Sequence, residues 1–155
     1  MKKIKLFCDS SVNPQSKIGF AAYLFFEVYD EDIEIKTKMF EDTSSTKIEL
    51  QSFLWAINEI KQNDVSYQVY TDCQNILSLL NRREKLESNN YLTSTNKQVK
   101  NHLLYKEFYK ILDLYNLEFV KVKGHKKSSQ KDDIDKIFSK VDKASRKVLR
   151  EYMNK

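Results

Sequence analysis

The stretch Lys5-Leu6-Phe7-Cys8-Asp9-Ser10-Ser11 ends an apolar run with a carboxylate and two small hydroxyl residues. Apolar side chains fall on both alternating faces of this run, which is typical of a strand buried on both sides. Aspartate is depleted in strands, and burying its charge is costly unless a partner stabilises it. A metal ion shared with other carboxylates would be such a partner. Asp9 therefore points to a cluster of acids drawn from several parts of the chain.

Length and composition predict a soluble globular protein with a single domain over residues 1–155. Hydrophobic residues make up 41% and charged residues 32% of the 155 residues, enough for one sizeable core. No apolar run approaches the ~20 residues that a membrane helix needs. Met1-Lys2-Lys3-Ile4 leads into the strand without a secretory pattern, so we expect a cytoplasmic protein. Cys8 and Cys73 are then expected to be free thiols that pack in the core.

The net charge of +5 slightly favours a polyanionic partner such as nucleic acid. Two glycines in the whole chain argue against a glycine-rich phosphate loop. No protein partner is evident from the sequence, and we expect a monomer.

The predicted elements follow the order of three strands, a helix, a strand, two helices, a strand and a helix. Short connections between the first three strands predict an antiparallel meander. Helical crossovers then add two parallel strands, which predicts a mixed five-stranded α/β sheet flanked by helices. The predicted strands cover residues 3–9, 19–26, 33–40, 67–72 and 118–123. The first predicted helix follows Thr46 and ends near residues 62–64, and the others cover 74–83, about 97–115 and a final apolar stripe over 134–152.

Four acids fall at the ends or edges of these elements. Asp9 ends the first strand and Asp72 the fourth, Glu49 lies in the first turn of the first helix, and Asp142 borders the apolar stripe of the last. Sites in open α/β sheets form beyond the carboxyl ends of neighbouring strands. Carboxylate oxygens suit Mg²⁺ or Mn²⁺, and two such ions about 3.5–4 Å apart support phosphodiester hydrolysis.

Each of these acids also has a simpler interpretation. Thr46-Lys47-Ile48-Glu49 matches a capping box, in which Glu49 would cap its helix. Asp72 could cap the following helix, and Asp142 could be a solvated residue on the flank of its helix. Asp9 is the hardest to explain in this way, and the four together favour a cluster.

Several segments make the chain resemble type 1 ribonuclease H over roughly residues 3–150, in the compact form without an N-terminal hybrid-binding domain. The most specific are Thr71-Asp72-Cys73-Gln74 after a strand and Val122-Lys123-Gly124-His125 before the last helix. The other segments are Asp9-Ser10-Ser11, Gly19-Phe20-Ala21-Ala22, Thr46-Lys47-Ile48-Glu49-Leu50 and Asp142-Lys143-Ala144-Ser145-Arg146.

The resemblance implies a ribonuclease H-like fold and a metal-dependent endonuclease that cuts the RNA strand of RNA–DNA hybrids. It implies that Asp9, Glu49, Asp72 and Asp142 bind two Mg²⁺ ions, for which Mn²⁺ could substitute. It also implies that His125 assists proton transfer or product release. Among the acids near the last helix, Asp132, Asp133 and Asp135 compete with Asp142. The match to the family's Asp-x-x-Ala-Arg helix favours Asp142, and Asp135, two turns earlier on the same face, is its main rival.

The chain departs from the family pattern where the substrate would bind. Ser45 and Thr46 replace an asparagine pair, so recognition of the 2′-OH rests on hydroxyl donors. Cys73 replaces a common serine. Contacts that reach phosphates would weaken steeply with salt. The residues expected to contact nucleic acid are Ser11, Ser45, Thr46, Gln74, Lys123, Lys126 and Lys127.

A further basic group around residues 82–85 and 97–110 could hold the DNA strand or could be a solvated helix face. Two other functions also stay open for the whole chain. It could be a nuclease of the same fold with another nucleic-acid substrate, or a non-catalytic module that binds nucleic acid.

Overall fold

A computed structural model describes residues 1–123 and 132–155. Within these ranges five strands and four helices follow the predicted order. The strands are β1 (Lys2–Asn13), β2 (Ile18–Phe26), β3 (Lys36–Phe40), β4 (Val65–Thr71) and β5 (Asn116–Lys121); the helices are α1 (Ser45–Ile60), α2 (Gln74–Ser88), α3 (His102–Leu114) and α4 (Asp133–Met153).

The strands form one sheet in the order β3-β2-β1-β4-β5, with β1 at its centre. The pairs β1–β2 and β2–β3 are antiparallel, whereas β1–β4 and β4–β5 are parallel. The predicted fold class is therefore confirmed, with a three-stranded meander extended by two parallel strands. The connections that reach the parallel strands carry α1 and then α2 with α3.

Each face of the sheet has its own hydrophobic core, and β1 contributes to both. Ile4, Leu6 and Cys8 pack in the core that contains α1, α2 and α3. Phe7 points to the opposite face, where it packs with Tyr70 and the apolar side of α4. Since side chains alternate along a strand, Asp9 lies on the same face as Phe7 and α4. Asp9 therefore lies on the face of the sheet that α4 covers.

Several element boundaries differ from the sequence-based prediction, among them the end of β1 and the start of α3. Strand β1 continues to Asn13, where a turn from Ser10 onward was predicted, because residues 10–13 pair with residues 18–21 of β2. Helix α3 starts at His102, five residues later than predicted. The Val99 N–H donates to the Tyr91 carbonyl over 2.8 Å, which holds the preceding segment in a loop. In both cases pairing with another segment, a few residues away in the chain, overrides the pattern of the segment itself.

Gly19 allows the start of α1 to pack directly on β2. A Cβ atom at Gly19 would lie 2.4 Å from Ile48 Cδ1 and 3.0 Å from the Ser11 carbonyl oxygen. Ile48 is buried and cannot move away without cost. The missing side chain at residue 19 therefore sets how closely the first turns of α1, including Glu49, approach the sheet.

Candidate functional site

Asp9 and Asp72 follow matching positions on two neighbouring parallel strands. Phe7 of β1 is paired with Tyr70 of β4, and their rings stack with centroids 4.4 Å apart. Each aspartate lies two residues beyond its member of this pair. Because neighbouring strands run about 4.8 Å apart, this register brings the two acids to the same edge of the sheet.

Asp142 reaches the same edge from α4, since its carboxyl group shares a hydrogen bond with that of Asp9. One turn further on, the Ser145 hydroxyl donates to the Asp142 carbonyl over 3.0 Å. The Ser11 and Ser145 hydroxyl oxygens are 2.8 Å apart, which ties α4 to β1 next to Asp9. Arg146 forms an ion pair with the Asp142 carboxylate.

The proximity of these acids changes the protonation of Asp9. Burial, the charge of Asp72 and the hydrogen bond with Asp142 together raise the pKa of Asp9 to about 9. Neighbouring carboxylates that cannot all ionise cheaply are typical of sites that bind a cation, because the cation offsets their repulsion. The structure therefore brings together three of the four acids singled out in the sequence.

Glu49 does not cap α1, so the capping-box interpretation is wrong. The N-cap is Ser44, whose side chain accepts from the Lys47 N–H over 3.2 Å. Glu49 is the fifth residue of the helix, and its Oε2 atom accepts a hydrogen bond from the Cys73 thiol over 3.0 Å. Cys73 directly follows Asp72 in the chain. Glu49 thus approaches the same strand end from the opposite face of the sheet to Asp142.

Asp72 is not the cap of α2 either. Cys73 occupies the N-cap position, and its sulfur accepts from the Ile76 N–H over 3.3 Å. Burial and the hydrogen bond with Glu49 raise the pKa of Cys73 to about 12, so the thiol remains a donor at neutral pH. Cys73 lies in the core and both cysteines are free thiols, as predicted, and Cys73 in addition makes the two hydrogen bonds just described.

Asp135, the rival of Asp142, has a structural role at the start of α4. Asp132 and Asp135 form a reciprocal capping box, with the Asp135 N–H donating to Asp132 over 2.8 Å. Asp135 lies about 10 Å along the helix from Asp142, given a rise of about 1.5 Å per residue. Of these two acids, Asp142 is the one that shares a hydrogen bond with Asp9.

Some of the residues expected to contact nucleic acid are exposed, and others are hydrogen-bonded within the protein. Ser45 and Thr46 are exposed in the first turn of α1, and Lys123 is exposed beyond β5. The Gln74 side-chain oxygen accepts from Lys121 Nζ over 2.8 Å, and Ser11 is bonded to Ser145 as described above. His125, Lys126 and Lys127 lie outside the described residues.

In the basic group around α2 and α3, Arg83 is held by the protein itself. Its guanidinium donates to both Asp113 carboxylate oxygens over 2.7 Å and packs over the Tyr109 ring. Arg83 therefore joins α2 to α3.

The acids offer oxygen ligands of the kind that Mg²⁺ and Mn²⁺ prefer. Within residues 1–123 and 132–155, no group of three Asp, Glu, Cys or His side chains is placed so that it could hold a metal ion as it stands. The fit rests on the chemistry of the donors and on the raised pKa of Asp9.

Within residues 1–123 and 132–155, no helix is long and apolar enough to span a membrane.

The sheet order and the acids that meet at its edge define the ribonuclease H-like class of α/β proteins. The sequence profile of the RNase H family matches residues 1–142, and the chain belongs to that family. The predicted resemblance and the predicted enzyme class, a ribonuclease H endoribonuclease, are thereby confirmed.

Relatives named Ribonuclease H match most of the chain. One from Caldicellulosiruptor saccharolyticus is 30% identical over 142 residues, which cover 88% of this chain and 94% of the relative. One from Clostridium botulinum is 27% identical, with 88% and 93% covered. One from Acetivibrio thermocellus is also 27% identical, with 88% and 92% covered.

Proposed function

We propose that this protein hydrolyses the RNA strand of RNA–DNA hybrids in a reaction that requires two Mg²⁺ ions, with Mn²⁺ as a substitute. The observation that carries the proposal is the convergence of Asp72 and Asp142 on Asp9, whose pKa is raised by its surroundings. Membership of the RNase H family and the names of the relatives support the same activity.

Asp9, Glu49, Asp72 and Asp142 are the residues that would hold the ions. The chemistry supplied by bound Mg²⁺ is charge stabilisation on phosphate oxygens and activation of water. Asp9, at the centre of the cluster, must lose its proton for this role. Arg146 provides a positive charge beside Asp142.

The substrate would be oriented by groups around this edge of the sheet. We assign hydroxyl contacts to Ser45 and Thr46, which are exposed at the start of α1. We assign phosphate contacts to Lys123, Lys126 and Lys127 and a further polar contact to Gln74. His125 is assigned to proton transfer or product release. We also assign a substrate contact to Ser11, whose hydroxyl in addition ties α4 to β1 through its bond to Ser145.

The proposal is tested by cleavage of labelled RNA–DNA hybrid beside duplex RNA, duplex DNA and single strands, with Mg²⁺ or Mn²⁺ and with a chelator. We expect cleavage of the RNA strand of the hybrid, dependent on the added ion. Cleavage of another substrate instead would favour a different nuclease of the same fold. Binding without cleavage of any substrate would overturn the enzyme assignment. We further propose that the protein acts as a monomer in the cytoplasm.

A further inference from the structure

We propose that Cys73 is a positioning residue, whose thiol holds the Glu49 carboxylate in the orientation that a metal ion requires. The inference rests on the proposed function, since it concerns one of the four assigned ligands. It goes beyond that function because it assigns a role to a side chain that is itself a poor ligand for Mg²⁺.

The thiol is fixed in place by its own hydrogen bonds. The Cys73 N–H donates to Thr71 Oγ1 over 3.0 Å, and the Ile76 N–H donates to Cys73 Sγ over 3.3 Å. Cys73 is only 4% exposed. With the sulfur held as the acceptor of one bond, its single proton is directed to Glu49 Oε2, 3.0 Å away.

Glu49 needs such a contact because its backbone alone does not orient its carboxylate. The α1 backbone is fixed by the close packing of Ile48 against Gly19 and by the Ser52 hydroxyl, which donates to the Glu49 carbonyl over 2.8 Å. Three rotatable bonds still separate this backbone from the carboxylate. Hydrogen bonds that orient metal ligands typically matter 10–100-fold for metal affinity or activity.

The first test compares Mg²⁺ binding, measured by calorimetry, among variants at residue 73. Cys73→Ser keeps both a donor and a cap acceptor, so we expect its affinity to stay within about threefold of wild type. Cys73→Ala loses both, and we expect affinity to fall roughly tenfold or more. Cys8→Ala is the matched control, because it removes the other buried thiol and should leave Mg²⁺ affinity unchanged.

A double-substitution test separates this role from a general effect on the fold. In a Glu49→Gln background, Cys73→Ala should cause no further loss of Mg²⁺ affinity, because the residue on which Cys73 acts has changed. The proposal is overturned if the loss persists in that background, if Cys73→Ala binds Mg²⁺ like wild type, or if Cys73→Ser is as weak as Cys73→Ala.

A spectroscopic readout covers the case in which Cys73→Ala does not fold. The S–H stretching band of Cys73, identified by its disappearance in Cys73→Ser, should lie at low frequency because of the bond to Glu49. It should move to higher frequency in Glu49→Gln, and an unmoved band would contradict the proposal. Wild-type protein that binds Mg²⁺ but cleaves no hybrid would count against the proposed function alone.

Discussion

Asp9 is the residue at which folding and the proposed chemistry conflict. Strand alternation in the sequence puts Asp9 on the same face as Phe7, whereas only the structure shows that α4 covers that face. The pKa of Asp9 is raised by its burial and by Asp72 and Asp142, which the fold brings from elsewhere in the chain. Substitutions at Asp9 and at Asp142 test the role of this cluster.

Asp9→Asn is expected to abolish hybrid cleavage and to stabilise the metal-free protein. Because the pKa of Asp9 is raised to about 9 in the folded state, the folded protein holds this proton more tightly than the unfolded chain. The contribution of the Asp9 proton to the free energy of unfolding is therefore complete below about pH 4 and is lost as the pH rises towards 9.

At pH 8, Asp9→Asn is expected to raise the free energy of unfolding by at least about 1.4 kcal/mol, the equivalent of one pKa unit. Urea denaturation at pH 4 and pH 8 in the presence of a chelator measures it. An equal effect at both pH values would show that Asp9 is not the titrating group.

Asp142→Asn is expected to lower hybrid cleavage by roughly a hundredfold or more, as for loss of a group that stabilises developing charge. Asp135→Asn is the matched control on the same helix. It keeps an oxygen that can accept from the Asp132 N–H, so activity should stay near wild type. Steady-state cleavage assays of both variants give the comparison. The reverse ranking would identify Asp135 as the fourth ligand.

At the scale of elements, the helix α4 is placed by contacts that its own sequence only partly reveals. Its apolar stripe predicted which face is buried, because helical periodicity depends on the local sequence alone. The hydrogen bond between Ser11 and Ser145 was not predictable, since it joins hydroxyls 134 residues apart. The cap of α2 was missed for a related reason. Cysteine is not among the favoured N-cap residues, so the sequence pointed to Asp72 instead.

Ser145→Ala is expected to destabilise the protein by about 1 kcal/mol, because it removes a bond between α4 and β1 at a fully buried position. Ser88→Ala is the control, since the Ser88 hydroxyl donates within its own helix, to Lys85, and is exposed. Chemical denaturation of both variants measures the difference. Equal losses would mean that the bond between the two elements contributes nothing to stability.

At the scale of the whole molecule, the acids lie where the two cores of the sheet meet. Glu49 comes from the face covered by α1, and Asp142 from the face covered by α4. The order of strands and helices predicted this arrangement, because helical crossovers constrain how parallel strands are added. The lengths of β1 and α3 were not predictable, since pairing across the sheet and within a loop determines them. A single domain over residues 1–155 stays a prediction.

Mg²⁺ is expected to raise the melting temperature of the whole protein, since its ligands would join elements from both faces. At a concentration of 100 times Kd the expected stabilisation is about 2.7 kcal/mol. That corresponds to roughly 5–10 °C for a chain of this size. Binding must displace the proton of Asp9, so the shift should shrink as the pH falls from 9 towards 5.

Thermal unfolding at several pH values, with and without Mg²⁺, measures this shift, and Asp9→Asn is the control in which it should disappear. A shift that is the same in this variant would place the ion elsewhere.

The raised pKa of Asp9 also bears on the choice of residue at this position. A single base change converts an aspartate codon to an asparagine codon, and that change is expected to make the metal-free fold more stable. A protein that only bound nucleic acid would need no carboxylate at this position to hold a metal ion. Under the proposed function, the aspartate at residue 9 therefore serves the reaction at a cost to the stability of the metal-free fold.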